Sequence, residues 1–136
     1  MDDGGATADH VGEKVPVVVA SKTRYYGTVT PPGLNVETTV IEIGAQSDDY
    51  IVEGYIDLSR LDKGDEVIVR EYAAVDGVNL RKFLEVGLVG PVNEPVVRFH
   101  AKTFLSFNLY RVTLTQVSGI LRSFPYAFVL EVLGTA

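Results

Sequence analysis

Apolar and polar residues alternate with a period of two along most of this chain, and stretches rich in Val, Ile, Thr, Tyr and Phe recur at short intervals. In Val97-Arg98-Phe99-His100-Ala101-Lys102 the alternation sets Val97, Phe99 and Ala101 on one face of a strand and Arg98, His100 and Lys102 on the other. Tyr110, Val112 and Leu114 oppose Arg111, Thr113 and Thr115 in the same way. No stretch sustains a 3.6-residue period with capping residues, so the pattern predicts strands. These run over 15–20, 24–29, 36–43, 50–58, 66–75, 79–89, 96–104, 109–117 and 124–133. The first two are readable as one bent strand, which leaves eight or nine.

Turn-forming residues fall between the strands at Thr30-Pro31-Pro32-Gly33, Ser47-Asp48-Asp49, Asp76-Gly77, Gly90-Pro91 and Ser118-Gly119. Asp76-Gly77 reads as a tight type I′ hairpin, because that turn needs positive φ and glycine accepts it without strain. Evenly spaced turns with no intervening helix are the mark of an antiparallel β-sandwich or jelly roll. The expected fold is therefore all-β: one jelly-roll-like sandwich over residues 15–136, preceded by a flexible arm over 1–14.

Two strands break the alternation. Phe124, Tyr126, Phe128, Leu130 and Val132 form an apolar row, and Ala127, Val129 and Leu133 make the opposite row mostly apolar as well. Residues 15–20 are apolar on both sides. A strand of that kind needs cover on both faces, and a mean hydropathy of +0.17 is high for so small a domain. The expectation is a homo-oligomer with Phe124, Tyr126, Phe128 and Val129 in an apolar contact and Arg98, His100 and Lys102 in a charged one.

Composition narrows the function classes. At 136 residues the chain fits one domain with a sizeable core, and it has no cysteine, which excludes disulfides and thiolate metal sites and fits a reducing compartment. Net charge of −6 argues against general nucleic-acid binding. The charge is unevenly placed: residues 1–68 carry 5 Lys/Arg against 13 Asp/Glu, and residues 69–136 carry 7 against 5. That asymmetry either orients one copy against another or reflects an acidic N-terminal tail. The acidic start MDDGGATADHVGEK lacks the features of a secretory signal, and no apolar run reaches the roughly 18 residues that span a bilayer, so no membrane association is expected.

Candidate chemistry is sparse. The charged knot Asp57-Leu58-Ser59-Arg60-Leu61-Asp62-Lys63-Gly64-Asp65-Glu66 offers three aspartates for calcium, yet Arg60 and Lys63 interrupt them. Leu58 and Leu61, three apart, fit a single helical turn plugging the end of the core, with Gly64 reversing the chain into the next strand. The structural corner is the preferred reading. His10 falls in the arm, and His100 has Arg98 and Lys102 beside it, which oppose a bound cation. Nucleophile elbows, phosphate loops and dinucleotide fingerprints are absent from the sequence, so no catalytic, metal or cofactor site is expected. Tyr25, Tyr26, Tyr50, Tyr55 and Tyr72 support a rival, a carbohydrate- or surface-binding module, although there is no tryptophan.

Residues 53–59 (EGYIDLS), 64–72 (GDEVIVREY) and 122–128 (RSFPYAF) resemble segments of small uncharacterised β-rich proteins of tailed phages, prophages and archaea, over about residues 50–132. The resemblance implies a role in a virion or its assembly. The expected function is that of a non-enzymatic structural subunit, a minor capsid, decoration or tail component. Its partners would be copies of itself and other particle proteins, with no direct nucleic-acid contact, in a virion assembled in the host cytoplasm.

Overall fold

The structure, a computed structural model, describes residues 16–135. The predicted arm, with His10, lies outside the described residues, as does Val15. Among the described residues eight strands follow one another: β1 (Val17–Val29), β2 (Thr38–Ile43), β3 (Tyr50–Asp57), β4 (Glu66–Ala74), β5 (Arg81–Val89), β6 (Val96–Phe104), β7 (Leu109–Ser118) and β8 (Phe124–Thr135). They form two four-stranded sheets, ordered β1-β8-β3-β6 and β2-β7-β4-β5, and every pairing is antiparallel. The chain crosses from one sheet to the other at every connection except β4–β5. That wiring is an eight-stranded jelly roll. The two predicted N-terminal strands are one, β1, whose register slips between Val19 and Ser21.

The inner faces supply the core. Val52, Ile56, Phe99, Phe124, Phe128 and Leu130 from the first sheet meet Ile43, Val67, Val69, Tyr110, Val112 and Leu114 from the second, all buried. One inner row runs Tyr25–Phe128–Gly54–Phe99 across all four strands of the first sheet. Gly54 carries no side chain there, so the rings of Phe128 and Phe99 close over it with centroids 5.3 Å apart. Here the sequence demands glycine for space rather than for backbone conformation.

The charged knot is the corner that carries the chain from β3 to β4. Leu58 and Leu61 are buried, and the Leu61 N–H donates to the Leu58 carbonyl at 3.1 Å, closing the expected single turn. Gly64 has φ +91°, the reversal a side chain would resist. Asp65, 1% exposed, accepts from the Asp62 N–H at 2.8 Å, the Ile120 N–H at 3.0 Å and Arg122 Nε at 2.8 Å. One carboxylate thus pins the β3–β4 corner to the β7–β8 loop. Gln116, fully buried on β7, holds that loop from within: its Nε2 donates to the Ile120 carbonyl at 2.6 Å and its Oε1 accepts from the Arg122 N–H at 3.0 Å.

Two local expectations need correction. β4 and β5 do form a hairpin, but not through a tight type I′ turn: Asp76 is not at positive φ, and the connection runs from Val75 to Leu80. Asp76 instead accepts from the Asn79 and Val78 N–H groups at 2.8 and 2.9 Å, which lower its pKa to about 2. In β6 the strict alternation fails. Val52 pairs with Lys102 and Gly54 with Phe99, so Glu53 faces two residues, His100 and Ala101. That bulge shifts the phase by one residue. Phe99 and Lys102 therefore both point inward, while Arg98 and His100 stay exposed.

Candidate functional site

The residues predicted to form contacts are dispersed by the fold. Phe124 and Phe128 are spent on the protein's own core, at 0% and 1% exposure. Tyr126 packs half-buried against that core, and Val129 is half-buried on the outer face of the first sheet. Lys102 leaves the stripe it was assigned to share with Arg98 and His100 and turns into the sandwich. There its Nζ lies 2.7 Å from Glu71 Oε2, and Glu71 is 3% exposed. Tyr110 donates its hydroxyl to the same carboxylate, and Lys102 Nζ sits 5.7 Å from the centre of the Tyr110 ring. Burial, and then the Glu71 hydrogen bond, raise the Tyr110 hydroxyl far above its ordinary pKa. Nothing in the sequence singles out Glu71, because its partners come from β6 and β7 and no local pattern records them.

This ion pair lies behind a groove of about 590 Å3 between the edges of β5 and β6 that are free among the described residues. Ala73, Val75, Phe83 and Phe104 form its apolar surface, with Arg81, Lys102, Asp76 and Asn79 at its margins. Phe104 links it to the interior, with its ring centroid 5.5 Å from those of both Tyr50 and Tyr110. Lys102 stabilises the carboxylate that the sandwich buries, so Lys102→Met should destabilise the protein by about 2 kcal/mol, and adding Glu71→Gln should recover part of the loss. Urea unfolding of the single and double variants measures the coupling.

An exposed apolar patch adjoins the groove. Val75, Val78, Phe83, Leu105 and Phe107 are between 49% and 76% exposed. They come from β5 and two turns that are locked together. Asn108 donates to the Val75 carbonyl at 2.7 Å and accepts from the Leu105 N–H at 2.7 Å, while Tyr50 donates to the Asn108 carbonyl at 2.8 Å. Gly77, at φ +79°, approaches so closely that a Cβ there would stand 2.8 Å from the Phe107 carbonyl. The patch is held in place by buried polar bonds. Its apolar side chains are not the remnant of a mobile loop.

The outer face of the second sheet is different. Glu37 accepts from Tyr72 and from Thr113 at 2.7 Å, Arg70 Nε lies 2.8 Å from Glu85, and Arg111 lies 2.9 Å from Glu42. Burial alone would raise the Glu37 carboxyl, but those hydrogen bonds and the nearby Arg70 and Arg111 charges leave it below its ordinary range. This face pairs most of its own charges, although Arg111 Nε is buried without a hydrogen-bond partner among the described residues. On the outer face of the first sheet, Tyr26 and Tyr55 flank Ala127 in one cross-strand row and both are exposed. Of the other tyrosines weighed for sugar stacking, Tyr50 is buried, Tyr25 half-buried and Tyr72 engaged by Glu37.

The strand order and register define the protein as a jelly roll with an apolar, grooved end. Neither a protein-family model nor a curated protein sequence matches the chain. Among solved structures it is similar to one described as the structure of infectious bursal disease virus, Gx strain, with 11% identity, a TM-score of 0.46, and coverage of 88% of this chain and 33% of that one. The chain thus spans about a third of the length of the chain it matches.

Proposed function

We propose that the protein is a non-enzymatic structural subunit of a virus or phage particle, a minor capsid, decoration or tail component, assembled in the host cytoplasm with copies of itself and other particle proteins. The observation that carries this reading is the apolar end: five exposed apolar side chains on β5 and two hydrogen-bonded turns beside an apolar groove. Water-exposed patches of that kind mark interaction surfaces. Jelly rolls serve both viral capsid and lectin domains, so the fold alone leaves both open. The resemblance of residues 50–132 to phage and archaeal β-rich proteins favours the particle. So does the state of the ionisable groups behind the groove, where Glu71 and Lys102 neutralise one another instead of standing free for chemistry.

Sedimentation tests it. The wild-type protein should associate at tens of micromolar, and Val78→Ser with Phe107→Ser should reduce association by roughly tenfold or more while leaving thermal stability nearly unchanged, since both side chains are exposed. A monomeric wild type that binds glycans through Tyr26 would replace this reading with the carbohydrate-binding one.

A further inference from the structure

We infer that the groove between β5 and β6 receives residues 9–19 of a second copy, in a head-to-tail contact. This rests on the assembly reading above and names the partner of its groove. Two unfilled features sit on opposite edges of the same sheet. At the β6 edge is the apolar groove, with Arg81 at its margin and no ion pair to Arg81 among the described residues. At the β1 edge Val17, Val18 and Val19 are each 44–60% exposed although they alternate between faces. Their pairing with Leu133, Gly134 and Thr135 runs past the last β3–β8 pair, Tyr50 with Val132. Among the described residues the ribbon is uncovered above and below.

The chain leading into that ribbon has the matching pattern. In extended form Asp9, Val11, Glu13, Val15, Val17 and Val19 share one face, two carboxylates among four valines. Phe83 and Phe104 offer the valines of that face an apolar wall, and Arg81 offers its carboxylates a cation, with Asp76 the one carboxylate among the described residues of the groove lining. Among the described residues β5 and β6 also leave one edge each without a strand partner, so an entering strand finds backbone donors and acceptors waiting. A chain folding back into its own groove would cover the groove but leave Val17 to Val19 bare. A neighbour covers both at once. Because donor and acceptor lie on different edges, the contact is heterologous and propagates into a ring or a filament.

The protein has no cysteine, so cross-linking reports this contact cleanly. One chain carries Val15→Cys and another Phe83→Cys, with Leu34→Cys, at the opposite end of the sandwich, as the control acceptor. On mild oxidation the Val15→Cys and Phe83→Cys chains should form a disulfide-linked dimer whose yield falls on dilution. Adding Arg81→Glu to the acceptor should lower that yield roughly fivefold, and Asp9→Lys with Glu13→Lys in the donor should restore it. A link formed within one doubly substituted chain at concentrations where sedimentation shows monomer would overturn the second-copy assignment. Equal linking to Leu34→Cys, in a protein that still sediments as an oligomer, would overturn the groove contact and leave the assembly role standing. A monomer that forms no link removes both.

Discussion

Replacing Gly54 by alanine should destabilise the protein by about 3 kcal/mol or more, although the change is one methyl group and no positive φ is involved. A Cβ at Gly54 would stand 2.2 Å from the Phe128 ring and 2.6 Å from the Ala127 carbonyl oxygen. The ring cannot step aside without losing Phe99, whose centroid lies 5.3 Å away, in the middle of a close-packed core. Adding Phe128→Leu should return part of the loss, since it removes the ring but not the carbonyl. Two close substitutions are not expected to be additive. Denaturant unfolding of the two single variants and the double would show it, and a Gly54→Ala protein as stable as wild type would mean that the row across the first sheet is not packed as described.

Asp65→Ala should cost about 3 kcal/mol, because it leaves the Asp62 and Ile120 N–H groups without their acceptor and Arg122 without its partner. The pH dependence of this loss is specific. Burial alone would raise the Asp65 carboxyl, but the hydrogen bonds from Asp62, Arg122 and Ile120 outweigh it and hold the pKa below the ordinary value of about 3.9. A carboxyl with a depressed folded pKa contributes stability that is present above the unfolded value and lost as pH falls through the folded one. The gap between wild type and Asp65→Asn should therefore be constant from about pH 5 to 7 and narrow below about pH 4. A gap that widened in acid would contradict the ion pair with Arg122.

Much of the architecture was legible in the chain. Alternation in β3, β4 and β7, and the turn residues between strands, placed the elements to within a few residues, because one buried face fixes a period of two. Leu58, Leu61 and Gly64 announced the corner. The excess of apolar surface was also readable, but its location was not. Phe124 and Phe128 look like surplus in a list of residues, and the second sheet closing over them makes them core. Val75, Val78, Leu105 and Phe107 look like ordinary ends of strands, and two turns locked through Asn108 bring them to the surface together.

The sequence by itself determined that this protein is a sandwich of antiparallel strands, most of them with one buried face, since periodicity and turn chemistry are local properties. Only the tertiary structure decided which edges stay open, that a one-residue bulge turns Lys102 inward onto Glu71, and that an apolar groove forms beside them. Those depend on pairings between residues far apart in the chain, where a shift of one position exchanges the faces of a strand and no local pattern records it.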